Sequence, residues 1–124
     1  MTLVVGGAYQ GKLDYVLGNY PVSTVFQCDI NSANIDLSAD VINSLHLAVL
    51  AQTRMWMDPL AILNGLLPML KDKVIICDDI SCGVVPIERE NRLWREATGH
   101  CLAMLSKYAD EVIRVFCGIG SRIK

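Results

Sequence analysis

The sequence lacks a strong excess of charge of either sign, and this restricts the partners that it can attract. Lys and Arg number 11 against 13 Asp and Glu, which gives a formal net charge of -2 and a pI near 5.6. Such a chain has no general electrostatic attraction for nucleic acid or for an anionic membrane. We therefore expect neither partner, and a nucleotide would have to be held by local groups.

The cysteines lack the spacing of a metal site or of a disulfide framework. They occupy positions 28, 77, 82, 101 and 117, an odd number without a CxxC pair. His100 and Cys101 do not form a metal pair either, because neighbouring residues on a helix point about 100° apart. We predict no metal site, and the pattern is typical of a reduced cytoplasmic protein.

A signal peptide and a membrane span are also missing from the pattern. The start, MTLVVGGAY, has no basic region followed by a long apolar run. The longest apolar segment, residues 45–70, is interrupted by polar side chains and two prolines, and it lacks the roughly 18 uninterrupted apolar residues of a membrane helix. Buried helices are the better interpretation of this segment.

The size and the apolar content predict one domain that associates with itself. The chain has 124 residues, so residues 1–124 are expected to form a single domain. Its apolar fraction of 52% is high for this size. We expect a homo-oligomer in which subunit contacts cover part of the apolar surface.

The first motif in the chain is LVVGGAYQGKL, residues 3–13, which follows the phosphate-loop pattern GxxxxGK at Gly6, Gly11 and Lys12. In such loops backbone N–H groups and the lysine hold phosphates, and the next residue, Ser or Thr, binds Mg²⁺. Leu13 has no lone pair for a metal, so the motif predicts nucleotide binding with only weak support for Mg²⁺. The alternative is a strand-to-helix turn with a solvated lysine.

Predicted strands and helices alternate along the chain. Apolar β-branched runs indicate strands at residues 2–5, 23–28, 40–44, 73–77 and 111–116. Helical spacing and capping signals indicate helices at residues 13–20, 45–55, 59–70 and 87–108, and a glycine turn with a short extended tail ends the chain. The order predicts an α/β fold with a mainly parallel sheet flanked by helices, whose ligands bind at the carboxyl ends of strands.

Polar residues follow several of these strands. Asn43 and Ser44 come at the end of the third strand, and Asp78 and Asp79 come after the fourth. Adjacent residues at a strand end point to opposite sides, so only one carboxylate would face the glycine loop. We select Asp79 for this role, and the alternative is helix capping or a loop hydrogen bond.

One histidine and a group of arginines are weaker candidates. His46 lies in the apolar run SLHLAVLA, where a buried or interface histidine is more common than a nucleophile. Arg89, Arg92 and Arg95 recur along one side of the long helix among glutamates, a pattern typical of a solvated face. One of these arginines could reach a phosphate.

Four segments together resemble the bifunctional adenosylcobinamide kinase / adenosylcobinamide-phosphate guanylyltransferase family of cobalamin biosynthesis. They are GGAYQGKL, similar to GGARSGKS; DDISCGVVP, similar to NEVGxGIVP; RLWREATGHCLA, similar to RxFRDxxGxxNQ; and ADEVIRVFCGIGSRIK, similar to ADEVxxVxxGIxxxIK. The resemblance implies an oligomeric P-loop α/β enzyme. Such enzymes phosphorylate adenosylcobinamide with a nucleoside triphosphate and then transfer GMP from GTP through a guanylylated histidine.

The resemblance also implies roles for individual residues. Lys12 and Asp79 would be catalytic, with Asp79 in the place of the family's glutamate, while Gly83 and Pro86 would shape the adjoining loop. The residues implied to bind nucleotide come from the glycine loop and from the long helix, and they are Gly6, Gly7, Ala8, Gly11, Lys12, Arg92 and Arg95.

Three departures from the family pattern modify this expectation. Leu13 replaces the family's Ser, and Asn43 stands where the family has an aspartate in a segment like LLDCLTL. The family's histidine has no counterpart in QCDINSANIDLSAD, and His46 aligns with a threonine instead. We therefore predict a protein that binds GTP or ATP at a degenerate loop and has lost guanylyl transfer. The alternative is a non-catalytic module that binds nucleotide, a corrinoid or other subunits.

Overall fold

The computed structural model describes residues 1–80 and 87–124. Within these residues the strands are β1 (Thr2–Gly6), β2 (Val25–Gln27), β3 (Val41–Asn43), β4 (Val74–Asp78), β5 (Glu111–Phe116) and β6 (Ile119–Arg122). They form one sheet in the order β2-β3-β4-β1-β5-β6. All neighbouring strands are parallel except β5 and β6, which confirms the predicted mainly parallel sheet.

The end of the chain differs from the predicted extended tail, because it forms the antiparallel edge strand β6. Phe116 pairs with Ile119, and the two residues between them, Cys117 and Gly118, have φ angles of 50° and 76°. Two successive residues with positive φ make the tight turn whose twist suits a β-hairpin. The turn therefore brings the tail back beside β5.

The helices in the described ranges are α1 (Lys12–Asn19), α2 (Leu45–Arg54), α3 (Pro59–Leu66) and α4 (Arg89–Tyr108). The Asp58 side chain accepts a hydrogen bond from the Ala61 N–H, and Pro59 follows it, so the predicted start of α3 is confirmed. Its predicted end at Leu70 is wrong, since Leu67–Leu70 is a 3₁₀ turn. Pro68 has no N–H to continue the α-helical bonding.

Two apolar clusters cover the two faces of the sheet. Successive residues of a strand point to opposite faces, so Leu3 and Ile75 join one cluster while Val4 and Ile76 join the other. The larger cluster packs against α2, α3 and α4, and the smaller one packs against Val16 of α1. This arrangement confirms helices on both faces. Of the described helices, none is long and apolar enough to cross a membrane.

The carboxyl ends of β3, β4 and β1 meet at one edge of the sheet, because these three strands are parallel neighbours. The glycine loop leaves β1 at this edge, and Asn43 and Asp78 are the last residues of β3 and β4. The structure thus confirms the predicted convergence of the three groups at this edge.

Candidate functional site

The glycine loop joins β1 directly to α1 and depends on two special backbone positions. Gly11, immediately before α1, has a φ of 82°, a left-handed conformation that favours glycine. Gly6 lies at the base of the loop, where an added Cβ would collide with the backbone carbonyl oxygen of Val115 on β5. Gly7, Ala8 and Tyr9 between them are exposed. The loop is therefore closely packed at its base and open to solvent at its tip.

The side chain of Lys12 folds back into this loop. Only 7% of Lys12 is exposed. Its ammonium donates a hydrogen bond to the carbonyl oxygen of Gly7 at 2.6 Å and lies 2.6 Å from Oδ1 of Asp78. The predicted alternative of a solvated lysine is wrong, since the ammonium is enclosed by the loop and by the end of β4.

Asp78 is fixed in turn by His46 in the first turn of α2. The backbone N–H of Asp78 donates to Nδ1 of His46 at 3.1 Å, and Nε2 of His46 lies 3.4 Å from Oδ2 of Asp78. Because Nδ1 accepts a hydrogen bond, the proton of the neutral imidazole is on Nε2, where it faces the carboxylate. Lys12, Asp78 and His46 therefore form one connected polar cluster.

Trp94 of α4 supports the histidine from the other side. Its indole N–H donates to the backbone carbonyl of His46 at 2.7 Å, and the two rings stack with their centroids 6.2 Å apart. Burial lowers the pKa of His46. The nearby Asp78 carboxylate raises this pKa in part, and the Lys12 ammonium lowers it further. His46 is thus a neutral, hydrogen-bonded, buried histidine, as the more common of the two interpretations predicted.

Asp79, the carboxylate selected from the sequence, lies on the other side of the loop. Its N–H donates to the carbonyl oxygen of Gly6 at 2.9 Å. Asp79, Gly6, Gly7 and Arg114 line a surface cavity of 310 Å³. The carboxylate that contacts Lys12 is therefore Asp78, which sequence reasoning did not select, and the catalytic role of Asp79 stays a prediction.

The resemblance implied metal-side groups at positions 13 and 43, and the residues at these positions make apolar and amide contacts instead. Leu13 packs against the smaller apolar cluster, and the Asn43 amide donates to the side-chain oxygen of Gln27 at 2.6 Å. Across residues 1–80 and 87–124, no three His, Cys, Asp or Glu side chains are grouped so that they could hold a metal ion. Leu13 also does not fill the loop, because its side chain is used in this packing.

The loop is tied to the β5–β6 hairpin by a residue that the sequence did not reveal. The backbone N–H of Cys117 donates to Oε1 of Gln10 at 2.7 Å, and the Gly118 N–H donates to the Gln10 carbonyl at 2.8 Å. Gln10 occupies a variable position of the phosphate-loop pattern, so its role follows only from its contacts with the hairpin in the folded protein. Its contacts fix the loop between β1 and the hairpin.

The remaining predicted residues are Arg92 and Arg95 of α4, together with Gly83 and Pro86. Arg92 lies in the exposed first part of α4 and donates to the carbonyl of Ile87, while Arg95 is half-buried one residue beyond Trp94. Their predicted contact with nucleotide stays a prediction. Gly83 and Pro86 lie outside the described residues.

A comparison with protein families supplies a match for most of this chain. The model described as cobinamide kinase / cobinamide phosphate guanyltransferase matches residues 32–123. This range contains β3, β4, α4 and the β5–β6 hairpin, and it begins after the glycine loop. A comparison with curated proteins gave no match. The matched range exceeds half of the 124 residues.

Proposed function

The chain belongs to the cobinamide kinase / cobinamide phosphate guanyltransferase family, and from this premise we propose that it binds a nucleoside triphosphate at the loop formed by residues 6–12. Membership connects the chain with cobalamin biosynthesis and with transferase-like use of nucleoside triphosphates. GTP and ATP are the proposed ligands. Guanylyl transfer through a histidine is proposed to be lost.

The observation that carries the nucleotide proposal is the position of the Lys12 ammonium. It lies inside a loop that leads into the N-terminus of α1, 2.6 Å from the Gly7 carbonyl oxygen. The first N–H groups of a helix have no partner within the helix and favour an anion. A phosphate in this loop would therefore meet both the ammonium and these N–H groups, once the lysine has exchanged its present contacts.

The geometry of His46 supports the loss of guanylyl transfer. Both ring nitrogens are directed at Asp78, one towards its backbone N–H and the other towards its carboxylate. Only 7% of the residue is exposed. A nucleophilic histidine needs a free lone pair on a ring nitrogen near the α-phosphate, and neither nitrogen of His46 offers one.

Calorimetric titration with GTP and with ATP tests the proposal, each with and without Mg²⁺. Lys12→Met should weaken binding about thirtyfold, roughly 2 kcal/mol, because it removes a charge-assisted hydrogen bond to phosphate. Lys71→Met is the matched control, since Lys71 is an exposed lysine before β4 at the opposite edge of the sheet. Equal affinity of the Lys12→Met variant and the unmodified protein would contradict the proposal, as would the absence of binding by the unmodified protein.

A second candidate function is a non-catalytic module that binds nucleotide or a corrinoid. The packing of Leu13 and the Asn43–Gln27 hydrogen bond favour it, because neither position presents a metal ligand. This module would bind GTP with the same affinity with or without Mg²⁺ and would not phosphorylate cobinamide. Titration with cobinamide, followed by its visible absorption, tests corrinoid binding separately from turnover.

Self-association is part of the proposed function. Several large apolar side chains of the single chain are almost fully exposed, among them Tyr9 at 104%, Trp56 at 95% and Ile87 at 93%. Contacts between subunits would remove such surface from water. Light scattering coupled to gel filtration should give a multiple of 13.7 kDa, and a mass of 13.7 kDa at micromolar concentration would contradict self-association.

A further inference from the structure

The Lys12–Asp78 ion pair lies where a phosphate would have to bind. Lys12 supplies the cation of the proposed phosphate site, and in the free protein this cation is already neutralised by a carboxylate at 2.6 Å. We propose that Asp78 sets the phosphate affinity of the loop, because its carboxylate competes with phosphate for the Lys12 ammonium. This inference rests on the proposed binding of phosphate by residues 6–12.

The first argument is the enclosure of the ion pair. Lys12 is 7% exposed and the side chain of Asp78 is 21% exposed, so water screens the pair only partly. An ammonium has three donors, and the Gly7 carbonyl and the Asp78 carboxylate already use two of them. One donor is left for a phosphate oxygen, which would share the ammonium with the Asp78 carboxylate unless it displaces that carboxylate.

The second argument is that Asp78 cannot easily turn away. His46 accepts a hydrogen bond from its backbone N–H and lies 3.4 Å from its carboxylate, and Trp94 donates a hydrogen bond to the carbonyl of His46. An exposed ion pair would swing apart at little cost, whereas this one is held by a chain of contacts from β4 through α2 to α4. When Lys12 turns to a phosphate, the carboxylate stays nearby and repels the anion.

Because of these two effects, replacing Asp78 should change the phosphate affinity in the opposite direction from replacing an ordinary binding residue. Removing its charge destabilises the free protein, because it leaves the ammonium with less compensation, and it also removes a repulsion from the complex. Both changes favour the complex over the free protein. A residue that only supported the fold would weaken binding or leave it unchanged when replaced.

The test uses Asp78→Asn, which keeps the shape of the side chain and removes its charge. Inorganic tripolyphosphate and GTP serve as probes in calorimetric titrations at neutral pH without a divalent cation. We expect the variant to bind both probes about tenfold more tightly than the unmodified protein, within the usual range of coupling between two contacts. In thermal unfolding the variant should have the lower midpoint without ligand and the larger rise with tripolyphosphate.

Asp14→Asn is the matched control for net charge. Asp14 is exposed in the first turn of α1, two residues after Lys12, and the substitution removes the same charge. Because it acts through solvent, it should change the affinity by less than about threefold. Asp78→Ser provides a second neutral replacement if Asp78→Asn does not fold.

The outcomes separate this inference from the proposed function. Tighter binding by Asp78→Asn, or by Asp78→Ser, with little change in Asp14→Asn supports the competition. Binding by the unmodified protein that is equal to or tighter than that of the Asp78 variants overturns the competition and leaves the nucleotide proposal standing. Failure of every protein to bind either probe overturns both, and failure of both Asp78 variants to fold shows that the carboxylate serves the structure instead.

Discussion

Two adjoining parts of the sheet edge differ in the groups that they present. The phosphate half, named for its proposed ligand, consists of residues 6–12 with Asp78; it is charged and closely packed at its base, and its lysine is 7% exposed. The metal half, defined as Leu13 with Asn43 and Gln27, is neutral: Leu13 packs against the smaller apolar cluster, and the amides of Asn43 and Gln27 share one hydrogen bond. An anion site made by a loop and a helix start belongs to the fold, whereas each metal ligand is a single side chain that one substitution removes.

The strongest way to break this comparison is to disturb the base of the phosphate half. Gly6→Ala would drive a methyl group into the Val115 carbonyl and should lower the free energy of unfolding by about 3 kcal/mol. Gly7→Ala is the control, because its added Cβ would lie 3.7 Å from the nearest atom, Cγ of Gln10. Urea denaturation measures both variants. Similar losses in the two would contradict the close packing at Gly6.

Restoring the metal half would sharpen the comparison. The double variant Leu13→Ser, Asn43→Asp returns a hydroxyl and a carboxylate, so Mg²⁺ should strengthen its GTP binding about tenfold, or about 1.4 kcal/mol. The control is Leu17→Ser, Asn19→Asp, which makes the same replacements at exposed positions of α1. If Mg²⁺ does not change the GTP affinity of the double variant, more than these two side chains are needed to restore a metal site.

The buried histidine gives the phosphate half a pH dependence that the metal half lacks. Burial lowers the pKa of His46 below its ordinary 6.5, so the unfolded chain binds the proton first as the pH falls. The contribution of His46 to the free energy of unfolding is therefore fully present above pH 6.5. It is lost as the pH falls below 6.5, by at most about 1.4 kcal/mol per pH unit.

His46→Gln keeps an acceptor for the Asp78 N–H and removes the titration. Urea denaturation at a series of pH values should therefore give the variant a flatter profile than the unmodified protein below pH 6.5. His100→Gln, at an exposed position of α4, is the control and should keep the original slope. Identical slopes in all three proteins would contradict the assignment.

The smallest expected effect concerns the arginines of α4. Trp94 brings this part of the helix against His46, so Arg92→Gln and Arg95→Gln should each weaken GTP binding about threefold, roughly 0.7 kcal/mol. Arg89→Gln, at the exposed start of the same helix, should change the affinity less. Calorimetry distinguishes these cases, and equal effects at all three positions would indicate general charge attraction only.

The fold was largely accessible from the sequence because its signals are local. Apolar runs identified β1 and β4, Asp58 and Pro59 identified the start of α3, and the alternation of elements identified the sheet. The family match over residues 32–123 also confirms the resemblance, and it overlaps three of the four segments from which the resemblance was drawn. The error at the end of α3 was local as well, since Pro68 stops the α-helical bonding, whereas the pairing of the tail as β6 was not predicted.

The site was accessible only in part, because its contacts join residues that are distant in the chain. Sequence reasoning identified the loop, Lys12 and the pair of aspartates, and it recognised that one carboxylate would face the loop. It chose between Asp78 and Asp79 without knowing which side of β4 faces α1. His46 and Gln10 gave no signal of their roles, since these depend on Asp78 and on the β5–β6 hairpin.

The sequence by itself determined the alternation of strands and helices, the glycine loop between β1 and α1, and the absence of a hydroxyl after Lys12. Each of these is fixed by neighbouring residues through backbone preference and side-chain type. Only the tertiary structure decided that the lysine would be neutralised by Asp78 and that His46 would accept a hydrogen bond from the Asp78 backbone. The reason is that the ion pair exists only because β4 lies beside β1 in the sheet, and pairing of distant strands is a property of the packed whole.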